Sequence, residues 1–111
     1  GMSLVDQKLY NALNYFYEGK YDMTIKEAQD VLKLEPNNAL AYKRIGSAFF
    51  AMGQREKAKQ AWNRCLQINP ADKPLKEFLD RWEEKGYPAD KELEYLEELE
   101  KRGPELPGEK K

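Results

Sequence analysis

The sequence predicts an all-α fold in which antiparallel helix pairs stack as an α-solenoid. The first observation is a repeat, because Pro36 and Pro70 lie 34 residues apart and Gly19 recurs as Gly53 at the same interval. The second is that the apolar residues fall at helical spacing, with no segment that alternates as a strand does. A fixed period of this length is typical of helical arrays, in which each pair buries its apolar face against the next.

The first predicted helix begins at Ser3, with Asp6 three residues later as an analogue of a capping box. Its apolar residues share one helical face and are Leu9, Ala12, Leu13, Phe16 and Tyr17. We expect Gly19 to end this helix, because a left-handed backbone costs glycine little. The second helix is predicted over 22–33, and the turn at 35–38 follows because the residue before a proline resists the α conformation.

The second helix pair is predicted over 38–52 and 55–68. Glycine inside a helix costs about 1 kcal/mol relative to alanine, so Gly46 is expected to have a packing reason. Trp62 is the large aromatic residue expected to fill the core of this pair, and Cys65 is interpreted as a small buried hydrophobic residue rather than a reactive thiol. The two pairs have short loops, which favour antiparallel neighbours.

The second copy resembles the tetratricopeptide repeat (TPR) family position by position. The residues that carry this resemblance are Tyr42, Ile45, Gly46, Phe49, Ala58, Trp62 and Pro70. The resemblance implies a right-handed TPR superhelix and a scaffold that binds proteins, with the first helix of each pair lining a concave groove for a peptide or a partner helix. Carried over residue by residue, it assigns to this groove Asp6, Leu9, Tyr10, Leu13, Phe16, Tyr17, Leu40, Lys43, Arg44, Ser47, Phe50 and Ala51.

The groove residues argue against the carboxylate clamp with which some members of the family grip chaperone C-termini. That clamp has Lys and Asn one turn apart where this chain has Leu9 and Leu13, and Asn where it has Arg44. What remains is an apolar floor beside a small basic patch, Lys43 and Arg44, which would select an acidic segment of a partner. The alternative is that Leu9, Leu13 and Phe16 pack against the chain's own C-terminal helices.

The first copy departs from the family pattern, since Lys8 replaces the large aromatic residue and Asn11 replaces a leucine. One interpretation is a true N-terminal repeat whose outer side meets water, as the end of an array must. The other is that the sequence begins within a longer array, at a degenerate repeat. The first is favoured, because the polar residues lie where a preceding repeat would otherwise pack.

The C-terminal third is predicted to contain two further helices. Asp72 is expected to cap the fifth, which ends at Gly86 and covers the open end of the array, so that residues 1–87 comprise two repeats and a capping helix. Residues 88–111 are expected to form an additional acidic helix at 90–102 and a disordered tail.

The sixth predicted helix has a narrow apolar stripe of Leu93, Leu96 and Leu99, which a lone helix of this length cannot stabilise in water. We therefore expect it to dock on a groove. Docking on its own chain would produce autoinhibition, and docking on a neighbour would produce a homodimer. The alternative is a helix that projects freely or packs only against the fifth.

Charge and composition argue for a binding module rather than an enzyme. The net charge is only −1, so nucleic acid is not an expected partner. No apolar run is long enough to span a bilayer, so membrane insertion is not expected either. Residues 1–71 nevertheless hold ten Lys and Arg against seven Asp and Glu, and the remainder holds nine against thirteen, an asymmetry that favours mutual attraction. With no histidine and one cysteine, no metal or cofactor is expected, and Ser3 and Ser47 have no histidine to activate them.

The predicted function is a protein–protein interaction scaffold without catalysis, whose partner the sequence does not identify. The alternatives are a self-association module that forms a homodimer and a targeting or regulatory domain of a larger protein. No targeting signal is visible, which makes the cytoplasm the default expectation. Gly1 ahead of Met2 resembles a remnant of tag removal, so a signal could have been left out of this sequence.

Overall fold

The computed structural model describes residues 1–86 and 92–102, which contain six α-helices and no strand. In chain order the helices are α1 at Leu4–Tyr17, α2 at Tyr21–Leu34, α3 at Ala39–Ala51, α4 at Arg55–Ile68, α5 at Lys73–Lys85 and α6 at Glu92–Arg102. The all-α prediction is confirmed, and the first five helices begin and end within about one residue of their predicted bounds. The predicted start of the sixth helix at residue 90 and the predicted tail lie outside the described residues, as does the side chain of Leu93.

The helix ends form where the sequence places capping residues. The Ser3 hydroxyl accepts a hydrogen bond from the Asp6 backbone N–H at 3.1 Å, and Asp72 Oδ1 accepts one from the Leu75 N–H at 3.3 Å. These bonds satisfy N–H groups that have no partner inside their own helix. Left-handed glycines follow α1, α3 and α5, with φ angles of 77°, 83° and 73° at Gly19, Gly53 and Gly86.

The helices form two hairpins, α1–α2 and α3–α4, which stack because α2 also packs against α3. The core between the hairpins consists of Leu9, Ala28, Val31, Ala41, Ile45 and Ala61. A second core joins the later hairpin to α5 and α6, and its buried residues are Phe16, Phe50, Ala58, Trp62, Cys65, Leu75, Phe78, Leu79, Leu96 and Leu99. Each hairpin therefore buries its apolar face against the next element, as a repeat array requires.

Gly46 has the packing reason that the sequence led us to expect. A Cβ atom at this position would overlap Cδ1 of Trp62, an approach that real Cβ atoms essentially never show. Trp62 is fully buried, and its indole N–H donates to the carbonyl oxygen of Lys43 at 3.2 Å. The indole of α4 therefore lies directly against the backbone of α3, where only glycine leaves room for it.

Lys8 and Asn11, the polar departures of the first copy, pair with carboxylates of α2. Lys8 Nζ lies 3.1 Å from Asp30 Oδ2 and 3.6 Å from Glu27 Oε2. Asn11 Nδ2 donates to Glu27 Oε1 at 3.3 Å. Polar contacts thus join α1 to α2 on this side of the first hairpin. That this hairpin is the natural N-terminal end of an array stays a prediction.

Candidate interaction groove

The face formed by α1 and α3, here called the groove, carries the residues that the TPR resemblance assigns to partner binding. The structure buries seven of them, namely Leu9, Leu13, Phe16, Lys43, Arg44, Ser47 and Phe50. Asp6, Tyr10, Leu40 and Ala51 are half-buried, and Tyr17 is 41% exposed. That these residues bind a partner stays a prediction.

Lys43 and Arg44 were expected to form an exposed basic patch on this face, and that expectation is wrong. Lys43 and Arg44 are 0% and 1% exposed, because each is covered by a carboxylate from the C-terminal part of the chain. Asp72 covers the first cation and Glu100 covers the second. The patch is therefore a pair of buried ionic contacts within this chain.

Arg44 connects three helices through one guanidinium group. Its Nη1 lies 2.9 Å from Glu100 Oε1 on α6, and its Nε donates to the carbonyl oxygen of Leu9 on α1 at 3.0 Å. The other carboxylate oxygen, Oε2, accepts a hydrogen bond from the Ser47 hydroxyl at 3.1 Å. Both oxygens of this buried carboxylate therefore have donors, which offsets the large cost of taking a charge out of water.

Lys43 fixes the start of α5 in a similar way. Its Nζ lies 2.7 Å from Asp72 Oδ2, and both side chains are buried. The two atoms attract as opposite charges, although their angles do not meet those of a directed hydrogen bond. Since Asp72 Oδ1 caps the backbone of α5, one carboxylate connects α3 to the first turn of the next helix.

The acidic helix α6 docks on its own chain. It packs chiefly against α3 and more lightly against α5, with Leu96 and Leu99 0% and 4% exposed. Both leucines belong to the core cluster that contains Phe16 and Phe50 of the groove, and Tyr95 packs 6.3 Å from Phe78 between ring centroids. Docking on the chain's own groove is thus confirmed, and a helix that projects freely or packs only against α5 is wrong.

Sequence reasoning missed Glu100, because it described the sixth helix only as acidic and singled out none of its glutamates. The register contained a signal, because Glu100 follows Leu96 by four residues and so lies on the same face of α6 as the leucine stripe. Asp72 was predicted only as a helix cap. Its second role required knowing that Lys43 lies beside the start of α5.

Cys65 is a structural residue, as predicted. It is 1% exposed, and burial raises the pKa of its thiol to about 12, with a smaller contribution from the negative charge of Asp72. A thiol is reactive mainly as the thiolate, so this environment makes Cys65 inert. Within the described residues, no cluster of three side chains is suited to hold a metal ion, and no helix has the length and apolar character to cross a membrane.

Comparison with known proteins identifies the repeat. Residues 39–72 match the family model described as tetratricopeptide repeat. The chain therefore contains a tetratricopeptide repeat in its second helix pair, and the resemblance noted from its sequence is confirmed. The first copy lies outside the matched range, consistent with the departures at Lys8 and Asn11.

Three relatives illustrate this similarity. Small glutamine-rich tetratricopeptide repeat-containing protein 2 of Mycosarcoma maydis is 31% identical over 61 residues, which are 55% of this chain and 17% of that protein. The peroxisomal targeting signal receptor of Candida glabrata is 33% identical over 66 residues, 60% of this chain and 11% of the receptor. Heat shock protein STI1 of Saccharomyces cerevisiae is 26% identical over 62 residues, 56% of this chain and 10% of that protein.

The chain thus spans less than a fifth of the length of each of these relatives. The similarity covers somewhat more than half of this chain and only a small part of each of those proteins. No solved structure matches the chain.

Proposed function

We propose that this TPR-containing chain is an interaction scaffold that binds a helix or peptide of a protein partner in the groove of α1 and α3, without catalysis. TPR relatives support the general role, since one of them is by name a receptor for a targeting signal. The observation that carries the specific proposal is the docking of α6. A helix with two buried leucines and one buried carboxylate already lies in the groove, so the groove has the shape and the donors to hold such a segment.

The contacts correspond to a helix-in-groove mode of recognition. Apolar side chains at helical spacing fill a hydrophobic surface, and a few polar groups fix the orientation. In this chain the apolar surface includes Phe16 and Phe50, and the orienting donors are Arg44 and Ser47. Anchors of this kind, buried at the centre of a contact, supply most of the free energy of protein association.

The same contacts support the absence of catalysis at this site. Ser47 carries a potentially nucleophilic hydroxyl beside a carboxylate. This hydroxyl donates a hydrogen bond to Glu100, whose other carboxylate oxygen is paired with Arg44. Both oxygens of that carboxylate already have partners in Arg44 and Ser47, and the sequence has no histidine to take the hydroxyl proton. The arrangement orients a helix and does not activate serine.

Self-association is the less favoured function. Leu96 and Leu99, the two described leucines of the stripe that would drive a homodimer, are buried in their own chain and so are not available to a second copy. Mass measurement of the full chain at micromolar concentration tests this directly, and we expect a monomer.

Site-specific photo-crosslinking tests the proposed function. A benzophenone amino acid at Leu40 or Tyr10, both half-buried and assigned to the groove by the TPR resemblance, should trap a protein from an extract of the source cells. The matched control carries the same group at Gln60, an exposed residue of α4. Trapping at Gln60 as strong as at the groove positions, or none at the groove, would contradict groove binding.

A further inference from the structure

We propose that the segment bound by this groove is an acidic amphipathic helix in which two leucines three residues apart are followed directly by a glutamate. In this view α6 is an internal copy of that ligand, with Leu96, Leu99 and Glu100 as its three recognition groups, and a partner helix must displace it. The inference rests on the proposed function and specifies the chemistry of the partner.

The carboxylate of Glu100 is the group that the groove selects most strictly. Its side chain is fully buried, with one oxygen 2.9 Å from Arg44 Nη1 and the other accepting from Ser47 Oγ at 3.1 Å. The guanidinium is held in place from behind, because its Nε donates to the Leu9 carbonyl. A neutral or cationic side chain at this position would leave Arg44 buried without its counter-charge, so the groove discriminates against it.

The two leucines set the spacing of the ligand. Leu96 and Leu99 are buried in the same cluster as Phe16 and Phe50, and positions 96, 99 and 100 lie on one face of a helix. The opposite face is exposed at Glu94, Glu98 and Lys101. A partner is therefore constrained at positions 96, 99 and 100 and free at the three exposed positions.

The way α6 is held makes displacement feasible. An isolated helix of 11 residues is not stable in water, so the docked state depends on the few contacts that α6 makes with its own chain. A partner helix that offers the same three groups competes for the same donors. Because α6 is tethered, it competes at an effective concentration in the millimolar range, and the intact chain should bind a free ligand weakly.

Peptide titration of the intact chain tests this inference. The probe is a fluorescent peptide with the sequence of residues 90–102, and anisotropy reports its binding to the wild-type chain and to the full-length L96A/L99A variant, in which α6 is released. We expect the released variant to bind at least about tenfold more tightly, because the internal competitor is gone.

Two peptides of equal net charge identify the recognition group. A peptide with Glu100→Gln should bind the released variant roughly tenfold or more weakly, because it offers no carboxylate to Arg44 and Ser47. A peptide with Glu98→Gln should bind within about twofold of the original, since Glu98 lies on the exposed face. If L96A/L99A loses its helical circular dichroism, the full-length Glu100→Gln variant takes its place, because it keeps both leucines.

Three results would overturn the inference. The first is no binding to either released variant, and the second is equal loss with the two glutamine peptides. The third is a wild-type dimer that exchanges α6 between copies, because the occupant would then be a second copy of this chain. Failure of the function itself is distinguishable, since photo-crosslinking at Leu40 could trap a partner even where the peptide does not bind.

Discussion

Replacing Glu100 by methionine should open the groove and leave the helix pairs folded. The substitution removes the counter-charge of Arg44, whose side chain is 1% exposed, and breaking a buried ion pair in this way costs about 3–5 kcal/mol. The chain can relieve that cost by undocking α6, which returns Arg44 to water. The loss of stability therefore cannot exceed the free energy with which α6 docks. The structural change should be confined to α6 and the groove.

Hydrogen exchange measured by mass spectrometry reports this opening helix by helix. Amides of α6 should exchange roughly 100- to 5,000-fold faster in the variant if docking is lost by the full 3–5 kcal/mol, while amides of α4 should change little. The matched control is the double variant Arg44→Met with Glu100→Met. It replaces both charges by apolar groups of similar size and should restore much of the protection.

The outcomes of this pair of variants decide whether the ion pair holds α6. If Glu100→Met leaves the exchange of α6 unchanged, the Arg44–Glu100 contact does not fix the helix. If the double variant is as open as the single one, the unpaired charge is not the cause of opening. Faster exchange spread evenly over α1 to α4 would refute the view that α6 docks as a separable element.

Four further predictions concern the scaffold. Trp62→Ala should lower the free energy of unfolding by about 3–5 kcal/mol. Gly46→Ala should lower it by about 1–3 kcal/mol, because the added methyl group overpacks against the indole. Urea unfolding measures both values, and a Gly46→Ala variant more stable than the wild type would contradict the close approach of Trp62 to Gly46. The Cys65 thiol, with its pKa raised from 9.0 to about 12, should react roughly 1,000-fold more slowly with a disulfide reagent at pH 8 in the native chain than in urea; similar rates would contradict its burial. Hydrogen bonds from Lys8 and Lys26 lower the pKa of Asp30 below its ordinary value of 3.8. The Asp30 carboxylate therefore stabilises the fold above pH 3.8, and this stabilisation is lost as the pH falls through the lowered pKa. The thermal midpoints of the wild type and the Asp30→Asn variant should therefore converge in acid.

The helices could be predicted from the sequence because local chemistry specifies them. Ser3 and Asp72 cap helices in the structure as their spacing indicated, and Gly53 adopts the left-handed conformation that ends α3. The close approach at Gly46 also followed from the sequence, since a glycine inside a helix has a cost that only packing explains. These features depend on neighbours in the chain or on the repeat register.

The state of the groove could be predicted only in part, because it depends on contacts between distant residues. Arg44 and Glu100 are 56 positions apart, and a cation on a helix face has the same sequence signature whether it meets water or a carboxylate of the same chain. The leucine stripe of α6 showed that this helix needs a surface. It did not show which glutamate would be buried with it, or that the two groove cations would be covered.

Lys43 and Arg44 are two neighbouring residues through which the basic part of this nearly neutral chain contacts its acidic part. Each cation of α3 takes one carboxylate from the acidic C-terminal third, Asp72 at the first turn of α5 and Glu100 near the end of α6. Attraction between the two parts of the chain thus includes two buried contacts, where solvent screens it far less than at the surface. The contacts differ in what they hold. Asp72 also caps its own helix, so losing the Lys43 contact would disturb the scaffold. Glu100 instead binds α6 to the groove. The Arg44–Glu100 contact is therefore the one that a partner could replace without unfolding the repeats.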